Sequence, residues 1–460
     1  MAKKKENTLE EKLQEALVPE NQWPYILPEN WCWTRLGKIT NIVGGGTPSS
    51  SKKEYYDNGT IPWLSPADLS GYSDIYISRG QKNITELGLS KSSARLMPKD
   101  TVLLSSRAPI GYVAIASNSI STNQGFKNFL PSDAFYSRFL YWYLKSSKSL
   151  LESYASGTTF LELSGSKASM VEFPLPPLPE QKRIVHRIES LFAKLDEAKE
   201  KIQQVLDGAE MRKAAILHKA FTGELTKNWR KENGISEDSW VEYTLQSVCT
   251  MKITDGTHKT PTYSDKDNGV VFLSAKDITS GEINWENTKY ITSELHTELY
   301  SRLAPQINDI LLAKNGTTGV AALVKEDKVF DIYVTLALLR PDLEIVIPEY
   351  LLNIINSPIC KVQFNENLTG IGVPNLHLRD IKDVKIKVPS ISEQEIIADK
   401  VEMLLANEGM VTKNCLKQIE VIDTMKKSIL AKAFRGELGT NNPTEDSALN
   451  LLKEVLQDKS

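Results

Sequence analysis

The chain has 460 residues, 41% of them hydrophobic and 25% charged, which is enough material to bury more than one core. No apolar run approaches the roughly 18 residues that cross a bilayer, and the opening Met1-Ala-Lys-Lys-Lys-Glu lacks the apolar centre of a secretory signal, so a cytoplasmic protein without membrane contact is expected. A net charge of −3 with a pI near 6.1 excludes a protein that coats nucleic acid through a broad basic surface; any footprint on DNA has to be local.

In chain order, residues 1–29 contain a short amphipathic helical pattern at 8–20. Residues 30–175 are rich in Val, Ile, Thr, Tyr and Gly with frequent turn signals, which predicts a mixed α/β domain. This block carries 15 Lys/Arg against 10 Asp/Glu. Residues 176–225 enter through proline and Glu180-Gln181, run without internal proline, and leave through Ala220-Phe-Thr-Gly-Glu-Leu225. That punctuation predicts one long helix with a proline-marked start and a glycine near its stop. Ile184, Ile188, Leu191, Leu195, Ala198, Ile202, Val205, Ala209 and Ile216 step alternately by four and three, a coiled-coil seam interrupted where Arg212 takes a seam position.

A linker at 226–239 leads to a second α/β block, 240–388, with 15 Lys/Arg against 19 Asp/Glu. Residues 389–438 repeat the helical segment. Shifted by 213 positions, 176–225 falls on 389–438 without a gap and with 16 identities in 50 positions, a duplication. Ile397, Val401, Leu404, Val411, Ile422, Met425 and Ile429 keep the seam, while Glu408, Cys415 and Gln418 weaken its middle. The natural partner of each helix is the other copy, giving a rod of roughly 60 Å at 1.5 Å per residue. The tail, 439–460, contains a second short amphipathic pattern at 446–458, and the two terminal pieces are expected to meet.

The α/β blocks are related more loosely. Asp57-Asn58-Gly59 with Leu64-Ser65-x-x-Asp68 is echoed by Asp267-Asn268-Gly269 with Leu273-Ser274-x-x-Asp277, and Asp100-Thr-Val-Leu-Leu by Asp309-Ile-Leu-Leu. Closely matched helices with divergent globular blocks predict a constant spacer holding two variable readers. The expected architecture is therefore mixed α/β: two related domains separated by two long antiparallel helices, with an internal pseudo-two-fold repeat.

Motifs for chemistry are missing. There is no phosphate-binding G-x-x-x-x-G-K-[ST] loop; Gly44-Gly45-Gly46-Thr47-Pro48 lacks the lysine and reads as a turn. No Asn-Pro-Pro-Phe/Tyr tetrapeptide of an amino-methyltransferase is present, and there is no nucleophile elbow. His186, His218, His258, His296 and His377 show no metal-ligand spacing, and Cys32, Cys249, Cys360 and Cys415 form no CxxC pair. Pro341-Asp342-x-Glu344 lacks the lysine of a nuclease site. No catalytic residue, metal site or cofactor of its own is expected, and binding remains.

These motifs in this order resemble the specificity subunits of type I restriction–modification systems over nearly the whole chain. The residues that carry the resemblance are Val18-Pro19-Glu20 through Trp23-Pro24 to Leu27-Pro28-Glu29-Asn30-Trp31, the Pro-Leu-Pro-Glu-Gln entry at 177–181, the two Ala-Phe-x-Gly-Glu-Leu exits and the Asp309-Ile-Leu-Leu…Gly319 run. The resemblance implies two target-recognition domains at opposite ends of an antiparallel helical pair, each reading half of an asymmetric, interrupted site in double-stranded DNA. It also implies two methyltransferase subunits on the helices and restriction motor subunits joining them; S-adenosylmethionine, ATP and magnesium would belong to those partners. The net-acidic second domain departs from this picture and requires a confined DNA contact, expected around Thr257-His258-Lys259 and the Lys314–Thr318 loop.

Lysine and arginine on phosphates would set register and polar side chains would reach base edges. The candidates are Lys52, Ser65, Arg107, Gln124, Lys127 and Thr159 in the first domain, and Thr257, His258, Lys276, Lys314, Asn315, Thr317, Asn375 and His377 in the second. Two other readings are open: a specificity subunit whose methylation and cleavage partner is one fused polypeptide, and a coiled-coil scaffold whose blocks bind protein or carbohydrate. A stand-alone nuclease lacks an assembled metal site.

Overall fold

The computed structural model describes residues 8–107, 109–157, 161–368 and 375–458. The chain divides into two units, Met1–Lys201 with Gln418–Ser460, and Ile202–Lys417.

Both long segments are helical. The first runs Leu178–Asp207 and resumes as Ala209–Phe221, and the second is unbroken over Ile391–Phe434. Each ends at a glycine in the left-handed region, Gly223 at φ 79° and Gly436 at φ 75°, which is why both exits carry glycine at the same place. The helices are antiparallel wherever they meet inside a unit. In the first unit Lys199 bonds Asp423 at 3.0 Å and Lys426 reaches back to Asp196. In the second, Arg212 meets Glu408 while Lys400 donates to the Leu225 carbonyl.

The two polar interruptions of the seam answer each other. Arg212 Nε lies 2.9 Å from both Glu408 oxygens, and its Nη2 donates to the Val205 carbonyl at 2.9 Å. A Cβ on Gly208 would stand 2.7 Å from the Arg212 Nη1, so the glycine that breaks the first helix is also what makes room for the guanidinium. The seam differs from the sequence pattern in its middle. Val205, Val411 and Met425 are 39%, 41% and 49% exposed, because two helices alone cover only one narrow face of each other.

Within the first unit, a five-stranded sheet runs in the order Ile42–Gly44, Phe126–Phe129, Val102–Ser106, Ile110–Ala116, Tyr76–Ile77. A four-stranded sheet runs Lys82–Ile84, Ile61–Leu64, Ile120–Thr122, Leu96–Met97. The second unit repeats the plan: Thr254–Asp255, Leu336–Leu339, Ile310–Ala313, Ala321–Leu323 in one sheet, and Tyr263–Ser264, Lys289–Ile291, Val270–Leu273, Phe330–Ile332 in the other. In both units one pair in the second sheet is parallel, Trp63 beside Ser121 and Val271 beside Phe330. The echoed Leu-Ser-x-x-Asp motifs are capping boxes, in which the Ser65 and Ser274 side chains and backbones engage Asp68 and Asp277.

Each domain is fastened to its helix by the Glu-Gln pair at the helix entry. Gln181 accepts from the Tyr136 N–H and donates to the Ala134 and Pro176 carbonyls. Gln394 makes the same three bonds, to Ile347, Ile345 and Pro389. Glu180 accepts from Trp31 Nε1 at 2.8 Å, and burial raises its pKa above the ordinary carboxylate value; Glu393 takes Thr226 and Arg230 instead. In the first unit, helix Leu9–Ala16 packs on helix Ala448–Asp458, and Arg183 clasps Glu445 bidentately at 2.7 and 2.9 Å.

Candidate nucleic-acid interface

The second unit carries a cleft of about 530 Å³ at the end of strand Ile310–Ala313, with Val334 and Leu378 among the residues that line it. Asp255, His258, Lys314, Asn315, Tyr333, Thr335, Asn375 and His377 line it. Three chain segments converge there. The turn after Thr254–Asp255 is tied down by Thr257 N–H to the Ile332 carbonyl and Val334 N–H to the Thr257 carbonyl, and the segment at 375–377 is held by Leu376 N–H to the Lys314 carbonyl at 2.8 Å.

The floor is a buried ion pair. Lys314, 7% exposed, sets its ammonium on the Asp255 carboxylate, and His258 Nε2 lies 3.3 Å from both oxygens of the same group. A buried ammonium without such a partner would be costly to desolvate, so Asp255 is what allows a lysine here. Arg302 donates to the Asp255 carbonyl at 2.9 Å and steadies the same turn from behind. On the rim, Asn315 Nδ2 donates to Asn375 Oδ1 at 3.0 Å, and His377 caps a short helix with its side chain exposed. Behind this wall His296 Nδ1 pairs with Asp331 at 2.7 Å; burial raises the Asp331 pKa and the histidine opposes that shift.

Five of the eight second-domain candidates therefore share one cleft: His258, Lys314, Asn315, Asn375 and His377. Thr257 is buried beside it and accepts from the Lys259 N–H. Thr317 is exposed on the adjoining turn, and Lys276 is exposed on the short turn after Ser274, outside the cleft lining. Sequence reasoning misses Asp255, Tyr333 and Thr335. No local pattern marks them, because strand pairing between distant segments brings them in.

The first unit has the corresponding strand end. Leu163 N–H bonds the Ser106 carbonyl at 2.9 Å as Leu376 does that of Lys314, and Arg107 bridges Glu162 as Asn315 bridges Asn375. The lysine arrives from the neighbouring strand instead: Lys127, 8% exposed, donates to Ser106 Oγ at 3.2 Å and lies 3.7 Å from Glu162. Burial lowers the Lys127 pKa, opposed by Glu162. Gln124 is exposed and accepts from the Thr47 hydroxyl, and Lys52 stands in an exposed turn near Glu54 and over the Tyr55 ring. Ser65 is engaged in its cap with Asp68. Thr159 lies outside the described residues.

Among the described residues no His/Cys/Asp/Glu group is arranged to hold a metal ion, and no helix is long and apolar enough to cross a membrane.

Residues 28–207 and 237–421 match the family model described as the type I restriction modification DNA specificity domain. Among curated proteins, the MjaIX specificity subunit of Methanocaldococcus jannaschii is 43% identical over 205 residues, 44% of each chain. The EcoBI specificity subunit of Escherichia coli is 25% identical over 451 residues, covering 94% of this chain and 93% of that one. Among solved structures, the HsdS subunit from Thermoanaerobacter tengcongensis superimposes with a TM-score of 0.61 at 18% identity, over 91% of this chain and all of that one. A chain from a study of complex assembly and conformational transition in a type I restriction–modification system gives a TM-score of 0.66 at 19% identity, over 90% and 100%.

Proposed function

The chain belongs to the family of type I restriction–modification DNA specificity subunits, and from that premise we propose that each of its α/β domains reads one half of an interrupted, asymmetric DNA site. The observation that carries this reading is the duplicated strand end: Lys314, Asn315, Asn375, His258 and His377 in the second unit, and Lys127, Arg107 and Glu162 in the first. The two places share a backbone frame and differ in their side chains, which is what two readers of different half-sites require. Asparagine and histidine on the rim can donate to and accept from base edges in the major groove, while Arg107 and Lys52 suit phosphate. Lys314 and Lys127 act from beneath, as buried charges that orient the rim.

The helices in this reading seat two methyltransferase subunits, to which restriction subunits attach. Support comes from the apolar side chains that the helices leave in solvent, Met211, Met403 and Met410 at 77%, 56% and 58% exposure, because methionine suits an adaptable protein interface. Chemistry and its cofactors belong to those partners.

The test is to exchange residues 240–388 for the same block of a relative and map methylated adenines across the host genome. One half of the methylated sequence should change while the other half stays. A change in both halves together, or in neither, refutes the assignment of one domain to one half-site.

A further inference from the structure

The internal repeat allows each unit to be checked against the other, and one difference is large. In the first unit, strand Cys32–Arg35 has a neighbour on each side: Glu172–Leu175 on one, and on the other the chain at Leu17 and Val18, through a Leu17–Thr34 bridge and Val18 N–H to the Trp33 carbonyl at 3.0 Å. The same N-terminal stretch then lays Tyr25 against the end of the second long helix. The Tyr25 hydroxyl donates to the Phe434 carbonyl at 3.1 Å, its ring meets Trp33 edge-on at 4.9 Å, and Arg435 lies over its face. Burial there pushes the Tyr25 pKa up to about 12.

The second unit has the same frame without that cover. Val241–Thr244 pairs with Lys385–Val388 and, among the described residues, with no other strand; Val241 is 54% exposed. Register and repeat place Glu242 where Trp33 stands and Phe221 where Phe434 stands. The place that Tyr25 fills in the first unit corresponds to a cavity of about 520 Å³, bounded by Phe221, Trp240, Ile354, Ile359 and Ile386. The buried indole N–H of Trp240 has no hydrogen-bond partner among the described residues. Of the charges that line the same cavity, Arg230 is paired with Glu393 and Lys385 with Glu242, which leaves exposed Lys387 as the cation with no ion pair among the described residues.

We propose that this cavity and the adjoining strand edge form a docking site for an extended, acidic segment of a partner protein that inserts one aromatic side chain. An unpaired edge accepts a strand through main-chain bonds, and an apolar pocket beside it selects the side chain. Tyrosine and tryptophan anchor such contacts, since they bring a large apolar body and a polar tip. The occupant's chemistry follows from the chain itself. Residues 15–29, which cover the equivalent place in the first unit, contain three glutamates, no lysine or arginine, and both Trp23 and Tyr25.

A fluorescently labelled synthetic peptide of the sequence 15–29, titrated into the full chain, serves as the probe. Saturable binding is expected, weakened at least tenfold by Tyr25→Ala in the peptide. Ile359→Trp in the chain, which fills the cavity, and Lys387→Glu, a surface change that leaves the core alone, should each weaken it as well. Bound peptide should slow hydrogen exchange at 241–244. No saturable binding, binding indifferent to Ile359→Trp and Lys387→Glu, or protection gained at 32–35 through exchange into the first unit overturns the proposal. Because DNA takes no part in the assay, its outcome is separate from that of the half-site exchange.

Discussion

Gln394→Leu should loosen one unit and leave the other untouched. The amide is wholly buried and bonds three backbone groups, accepting from the Ile347 N–H and donating to the Ile345 and Pro389 carbonyls, each at 2.9 Å. Leucine has nearly the same volume, so packing survives while three backbone groups lose their partner. A stranded buried polar group costs about 1–3 kcal/mol, and the three lie close enough to relax together, so about 2–4 kcal/mol of local stability should be lost. At 1.4 kcal/mol per factor of ten, that is a roughly 30- to 700-fold faster amide exchange. Hydrogen-exchange mass spectrometry should find it in peptides spanning 345–347 and 389–397, with 134–136 and 176–184 unchanged. Gln181→Leu should give the mirror result. Unchanged exchange at 345–347, or equal loosening in both units, would show that the amide is not what fastens the domain to its helix.

The polar pair in the helical seam should behave as an uncompensated charge when halved. Arg212→Leu leaves Glu408, whose side chain is 11% exposed, without its cation and should cost about 1–3 kcal/mol, less than a fully buried pair because the Arg212 side chain is 40% exposed. Adding Glu408→Leu should restore most of that stability in urea unfolding; a double variant no better than the single one contradicts the pairing. The clasp between Arg183 and Glu445 predicts a pH effect. Hydrogen bonding to Arg183 lowers the Glu445 pKa below its ordinary 4.5, so its contribution is complete above that value and is lost as pH falls through the lowered one. With Glu445 near the surface the effect is under about 1 kcal/mol, and Glu445→Gln should flatten the acid limb of stability against pH; an unaltered limb refutes it.

What the sequence determined by itself was whatever repeats or has a period. The gapless match of 176–225 on 389–438, with its helical spacing and terminal glycines, was enough for two long paired helices, since heptad spacing and a left-handed stop are local properties. The strand-end motif Asp309-Ile-Leu-Leu likewise pointed to the Lys314–Asn315 turn. The roles of the interrupting residues were illegible: Arg212 and Glu408 looked like two weak points of the seam, and only antiparallel pairing puts one opposite the other. The same holds for the cleft. Asp255 lies 59 positions from Lys314, and Asn375 lies 60 from Asn315. A buried lysine is tolerated only where a carboxylate meets it, and that meeting depends on the strand order of the folded domain, which no window along the chain contains. The exposure of Val205 and Val411 was likewise decided by tertiary structure, because heptad spacing gives a direction on each helix but not how much of that direction a single neighbouring helix can cover.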